Sequence, residues 1–480
     1  MSKTYDLAVR GGTIVTAADR YRADIGIRDG RIVAIADEIT GATEEIDASG
    51  LLVLPGGIDA HVHLAQPTSD GTVMADDFES GTRSAAAGGN TTVLPFALQI
   101  KGTSLRACVD EYHAKAQDKC YTDVSFHLII SDPTPQVLGQ ELVALVRDGY
   151  TSFKVFMTYD DLVLNDAELL QVFEVARREQ ALVMVHAEGH DAIKHMTRTL
   201  EDEGKTAPYY HAEAHAQIAE REATHRAISH AQLTDVPVMI VHVSGRDPME
   251  QIQWARKRGM KVYAETCPQY IVLTRDDLKG LNMDFEGAKY VCSPPPRDED
   301  SQKAIWEGLR DGTFDVFSSD HCPFFFEAEG EIGKNNKKAR TSFKWVPNGI
   351  PGVETRLPLL FSEGVSKGRI SLERFVALTS TNPARLYGLY PQKGTLAVGS
   401  DADITLWDAG RIDTIRQENL NHGADYTPYE SIEITGWPVR TILRGETIAV
   451  EGKVVATAGT GRYQHRQVSE VYDGIAREVG

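Results

Sequence analysis

Between residues 55 and about 390, short apolar runs alternate with longer segments in which apolar positions recur every three to four residues. That alternation, about 30 residues from one run to the next, predicts strands each followed by an amphipathic helix, and so a parallel sheet. Eight runs read as strands: GIDAHVH, TTVLPFA, DVSFHLII, SFKVFM, ALVMVHA, PVMIVHV, MKVYAE and DVFSSD. Helix punctuation lies between them. Asn165 with Glu168 forms a capping-box pattern ahead of Leu169, Leu170 and Phe173, and Asp247-Pro248 opens a helix that Gly259 can close. Eight such units over residues 55–390 predict an α/β fold, a (β/α)8 TIM-like barrel, ahead of an open doubly wound sheet.

The flanks have a different texture. Residues 1–54 contain YDLAVRG, GTIVTA, RADIGIRDG, RIVAIA and LLVLP, and residues 391–455 contain ADITLWD, SIEITG, PVRTILRG and ETIAVEGKVVA. Short strands broken by Gly and Asp at both ends predict a second, small β-sandwich domain built jointly from the two termini. Residues 456–480 are polar and helix-capable, and are expected to form a tail that packs on a neighbouring subunit or frays.

Composition narrows the function classes. The 480 residues carry 50 Lys+Arg against 69 Asp+Glu, a net charge of −19, which argues against a nucleic-acid or anionic-membrane partner. No apolar run approaches the length of a membrane span, and MSKTYDLAVRGG lacks a secretory signal's apolar core, so a cytoplasmic location is the default expectation. Cys108, Cys120, Cys267, Cys292 and Cys322 include no C-x-x-C pair and read as free thiols.

The first barrel run ends in His61-Val62-His63, and strand alternation points both imidazoles to one side. On its own, this pair reads equally well as hydrogen-bonded core histidines. Later runs change that balance, because His186, His242 and Asp320 each close a predicted strand and Lys154 sits inside SFKVFM. Ionisable groups are costly to bury unless they are paired or hold an ion. In a barrel the C-terminal strand ends converge on one face, where active sites of this architecture lie. A metal site follows, and imidazole and carboxylate ligands without thiolate suit zinc, with manganese, cobalt, nickel or iron as substitutes. Unmodified Lys154 does not fit such a site, since an ammonium has no lone pair to offer; pairing with Asp320 or another carboxylate is the plainer reading.

The motifs PGGIDAHVHL, FKVFMTY, VMVHAEGHD, VHVSG, ETCPQY, CSPPPR, SSDHCPF and VPNGIPGVE, in this order over nearly the whole chain, resemble the cyclic amidohydrolases of the amidohydrolase superfamily, the dihydropyrimidinase and D-hydantoinase family. The resemblance implies hydrolytic ring opening of a cyclic amide to an N-carbamoyl amino acid. It also implies that Lys154 is carboxylated by carbon dioxide (N6-carboxylysine) and bridges two divalent metal ions. By the same carry-over His61 and His63 with Asp320 hold one ion, and His186 and His242 hold the other. Such a pair, about 3.5–4 Å apart, brings the pKa of water toward about 7 and makes hydroxide the nucleophile. Asp320 then shuttles its proton to the leaving nitrogen, and Tyr159 donates to the carbonyl oxygen. Ser293 and Asn348 match positions that bind the ring amide through main-chain groups. Read without the resemblance, Tyr159 is a rim aromatic and Ser293 and Asn348 are turn residues.

Ala65 stands where dihydroorotases of the superfamily place an arginine and allantoinases an asparagine, which favours a neutral ring with an apolar or no side chain: 5,6-dihydrouracil, dihydrothymine or a 5-substituted hydantoin. Allantoinase activity and a catalytically silent scaffold are the alternatives, and six intact ligand positions argue against the second. The loop AQPTSDGTVMADD departs from the DMPFGG-like and QMPFGG-like forms of the family. Gln66, Thr68 and Ser69 make it more polar, which bears on the choice among ring substituents. A homo-oligomer, with a tetramer favoured, is implied as well.

Overall fold

A computed structural model describes residues 4–68, 71–327 and 332–473. At its centre eight parallel strands form the barrel: β1 (Gly57–Val62), β2 (Asn90–Leu98), β3 (His127–Ile129), β4 (Ser152–Phe156), β5 (Leu182–His186), β6 (Val238–Ile240), β7 (Val262–Thr266) and β8 (Val316–Phe317). The ring closes just past β8, where His321 bridges Val62 and its carbonyl accepts from the His63 amide at 2.7 Å. Strands in such a barrel are covered on both faces, which is why their sequences read as nearly unbroken apolar runs. Every residue of β1, β2, β4 and β5 is buried.

Three strands are shorter than their runs suggest. DVSFHLII is split into Asp123–Val124 and β3, PVMIVHV is paired only over β6, and DVFSSD only over β8. For the last two the reason is local. His242 and Asp320 have φ of 39° and 50°, in the left-handed region, so the backbone leaves the ladder before it reaches them. The helices follow their punctuation more closely. Asn165 and Glu168 form the reciprocal capping box of the helix Asp166–Glu179, and Arg246–Arg256 follows Gly245, with Gly259 at φ 78° just beyond its end.

Strands from the two chain ends share one seven-stranded sheet, in which Leu52–Pro55 lies between Ile404–Thr414 and Thr13–Val15. A four-stranded sheet, Arg31–Ala36, Asp24–Arg28, Tyr5–Arg10 and Ala42–Asp47 in that order, packs on it. Between them Val9, Ile14, Ile25, Val53, Ile404 and Ile442 form a shared apolar core. The C-terminal stretch crosses the end of the barrel where the strands begin. There Arg466 donates to Ser152 Oγ at 2.7 Å, at the first residue of β4, and the Tyr472 hydroxyl donates to the Ala181 carbonyl at 2.9 Å.

A buried ionic cluster ties the barrel to the terminal sheet. Lys393 Nζ lies 2.7 Å from Asp123, 2.7 Å from Asp403 and 3.3 Å from Asp401, and Arg444 pairs with the other oxygen of Asp123. The three carboxylates hold the buried Lys393 ammonium above its ordinary pKa against the opposing effect of burial. Removing the cation leaves buried carboxylates uncompensated, so Lys393→Met is expected to destabilise the protein by about 3–5 kcal/mol. A lowered urea midpoint with an unchanged denaturant slope would register this loss.

Candidate active site

Strand ends on one face of the barrel bring the chemistry-bearing side chains together. His61 Nε2 is 2.8 Å from Lys154 Nζ and 3.1 Å from Asp320 Oδ1, and His63 Nε2 is 3.6 Å from the same carboxylate oxygen. The imidazoles of His186 and His242 stack edge to face with centroids 4.4 Å apart, and His242 lies 5.4 Å from His61. One ligating atom from each of His61, His242 and Asp320 falls within 4.8 Å of the other two. Phe96 underlies the group: its ring is 4.8 Å from His61, 5.0 Å from His63 and 4.3 Å from the Lys154 amine.

These positions carry backbone strain. Besides His242 and Asp320, Ala65 and Tyr159 have positive φ, 49° and 70°, so four non-glycine residues around one site adopt a conformation that costs about 1–3 kcal/mol each. Such strain persists only where the surrounding packing holds it.

Water exclusion sets the protonation states. Burial pushes the His63 imidazole down to about 4, and lowers His186 and His242 as well, so these rings are neutral and keep a lone pair. Burial and Lys154 also depress His61, but Glu265 and Asp320 outweigh them and hold it above its ordinary value. Burial alone would raise the Asp320 carboxyl; His61 and the other histidines reverse this and keep it well below the usual carboxylate range. Burial brings Lys154 down to about 8, with Asp320 and Glu265 opposing.

The donor set fits a divalent cation. Both ring nitrogens of buried His242 and the Oε2 atom of Glu265 have no hydrogen-bond partner among the described residues. Orphaned polar atoms of this kind are rare in a protein interior and call for a ligand. A second acidic group, Asp123, Asp401 and Asp403, is already neutralised by Lys393 and Arg444.

Over the group opens a cavity of about 620 Å³, lined in part by His63, Lys154, Tyr159, His186, His242 and Asp320. Ser293 and Asn348 also line it. The Tyr159 ring is 5.3 Å from His186; burial, with Glu188 nearby, holds its phenol well above the ordinary pKa. Ser293 Oγ is also 3.2 Å from His211 Nε2, and the Asn348 carbonyl accepts from Cys322 Sγ at 3.6 Å.

Three residues at the site escaped the sequence reading. Glu265, at the end of β7, accepts from His61 Nδ1 at 2.6 Å and from the His242 amide at 3.1 Å. Glu188 accepts from His186 Nε2 at 2.8 Å and, through its other oxygen, from His215 Nδ1 at 2.9 Å. The same rule that singles out Lys154, a charge inside an apolar strand, would have found Glu265 in MKVYAE. Glu188 carries the signal of strand alternation, two residues past His186; His215 carries none.

An eight-stranded α/β barrel with buried imidazoles, a carboxylate and a lysine gathered at one face has the architecture and the donor set on which metal-assisted hydrolases are built. The chain belongs to the amidohydrolase family, whose model matches residues 52–448. It is 43% identical over 463 residues to a D-hydantoinase of Rhizobium radiobacter, spanning 96% of this chain and 99% of that protein. The solved structure of a dihydropyrimidinase from Brevibacillus agri superposes with a TM-score of 0.92 at 44% identity, covering 96% of this chain and 99% of the other. An L-hydantoinase (dihydropyrimidinase) from Arthrobacter aurescens, 29% identical, gives 0.87 over 96% of this chain and 100% of its own.

Partners behind metal ligands fix tautomer and ring orientation. Glu265→Gln keeps the shape of the site and weakens the acceptor on His61, and is expected to lower the affinity for a divalent metal ion about 10–100-fold. Competition against a chromophoric chelator measures it.

Proposed function

We propose that this chain opens the ring of a 5,6-dihydropyrimidine or a 5-substituted hydantoin by hydrolysis, releasing the corresponding N-carbamoyl amino acid. What carries the reading is the complete ligand set, His61, His63, Lys154, His186, His242 and Asp320, gathered on one barrel face under a cavity in a chain of this family. Hydrolysis of a cyclic amide is the chemistry of its hydantoinase and dihydropyrimidinase relatives, at 39–44% identity over nearly the whole chain.

In this reading His61, His63 and Asp320 hold one divalent ion, His186 and His242 a second, and carboxylated Lys154 both. Bound there, the ions, zinc by ligand type, supply Lewis acidity and a nucleophile drawn from water near neutral pH. Lys154 supports the arrangement chemically. With its pKa at about 8 the amine is partly neutral near pH 7, and its nitrogen lone pair can attack carbon dioxide, forming an N–C bond and losing a proton. The cation at His61 Nε2 thereby becomes an anion.

The remaining steps belong to the side chains. Asp320 takes a proton from the attacking water and returns it to the ring nitrogen as the C–N bond breaks. Tyr159, kept protonated by burial, donates to the carbonyl oxygen as charge builds on it. Main-chain groups at Ser293 and Asn348, which line the same cavity, hold the ring amide. Ala65 offers no charge to pair with a substrate carboxylate on the ring, which supports a neutral ring over dihydroorotate.

The same reading includes a homo-oligomer with a tetramer favoured, a cytoplasmic location, and a division into 1–54 with 391–455, 55–390 and 456–480. No helix among the described residues is long and apolar enough to cross a membrane.

Protein assembled in zinc and bicarbonate should open dihydrouracil, a 5-substituted hydantoin or both, with about two metal ions per subunit. Lys154→Ala should lose metal and activity together and regain part of both with short-chain carboxylic acids. Full metallation without opening of either ring would send the assignment to another cyclic amide, and absence of bound metal would restore the scaffold reading. An active, metallated Lys154→Ala protein without additives would refute the bridge.

A further inference from the structure

His61 in β1 and His63 just past its end are held alike, each with Nδ1 at 2.6 Å from an acceptor, but the acceptors differ in kind. His61 is held by Glu265, a carboxylate on the rigid strand β7. His63 is held by Oε1 of Gln66, a neutral amide at the root of the loop that walls the cavity.

That bond fixes the direction of the amide. A neutral imidazole has one N–H and one lone pair. His63 Nε2 points to the ligand group, 3.6 Å from Asp320, so the lone pair belongs at Nε2 and the proton at Nδ1. The Nδ1–H must then meet an oxygen, and Gln66 must answer with Oε1. Its NH2 is turned away from His63, and it makes no hydrogen bond among the described residues. Gln66 lines the cavity, so this donor is available to a molecule inside it. The neighbouring hydroxyl cannot take its place, because Thr68 Oγ1 donates to the Thr72 carbonyl. Ser69, the third polar residue noted in this loop, lies outside the described residues.

We propose that Gln66 works on two sides: its amide oxygen positions His63 for metal binding, and its amide NH2 selects ring substrates whose exocyclic substituent carries a carbonyl or carboxylate oxygen. The second half rests on the ring-opening reading above; the first does not. Because one planar amide makes both bonds, a substituent that engages the NH2 also stiffens the hold on His63.

Two variants separate the roles. Gln66→Met has similar length and removes acceptor and donor together, whereas Gln66→Glu keeps an acceptor for His63 and removes the donor. With zinc-loaded protein and no substrate, chelator competition should show Gln66→Met binding zinc about 10-fold or more weaker, and Gln66→Glu at least as tightly as the parent. The ratio of kcat/KM for 5-(2-carboxyethyl)hydantoin to that for 5-isobutylhydantoin should fall about tenfold in Gln66→Met and further in Gln66→Glu, where two carboxylates oppose each other. Parent-like zinc retention in Gln66→Met would overturn the positioning role, and an unchanged ratio in both variants would overturn the selecting role. A parent that opens neither hydantoin would overturn the ring-opening reading and the selecting role with it, while zinc retention would still decide the hold on His63.

Discussion

Buried charge governs this molecule. A lysine amine, two carboxylates and several imidazoles are packed together at the top of the barrel, beneath the cavity, and each is there because the others are. An isolated ion buried there would be forced to neutralise. Instead His61 bridges Glu265 and Asp320, Lys154 bonds His61, and the remaining imbalance shows as imidazoles held neutral and an amine brought down to about 8. The arrangement is unfinished as a set of protein groups. His242 with two unsatisfied nitrogens marks the place where something other than protein completes it.

The barrel gives these groups a common floor. Its parallel ladder sets all eight strand ends on one face, and the closing contact between His63 and His321 joins the first ligand strand to the segment that carries Asp320. The site draws on two kinds of backbone. His61, Lys154 and His186 belong to regular strands, whereas His242 and Asp320 lie past the ends of theirs and reach the site from left-handed backbone. Regular structure supplies rigidity, and its interruption supplies direction.

How much of this was legible in the sequence follows from the range of each interaction. Strand runs, the Asn165 capping box and the Gly259 stop are local, and the structure keeps them. The pairing of Leu52–Pro55 with Ile404–Thr414 is not local, yet similar texture at both ends foretold a joint β unit. Strand lengths at β6 and β8 misled because apolar character continues past the point where the backbone turns. Glu265 and Glu188 carry signals of their own, a charge inside an apolar strand and strand alternation past His186, whereas His215, between two helices, has nothing in its local sequence that ties it to Glu188. Gln66 was visible as a departure in a loop, but its bond to His63 depends on a backbone turn at Ala65 that the letters do not record.

The sheet shared by the two chain ends also imposes an order on biosynthesis. Leu52–Pro55 leaves the ribosome early, while its partner Ile404–Thr414 follows some 350 residues later. At about 5–20 residues per second that is a wait of roughly 20–70 s. During it one side of an apolar strand stays unpaired, an open template for other nascent chains. The barrel between them can fold meanwhile, and the N-terminal segment is then trapped in register when the last strands arrive. The terminal sheet is therefore the last part of the fold that synthesis can complete, since it waits for strands that follow the whole barrel.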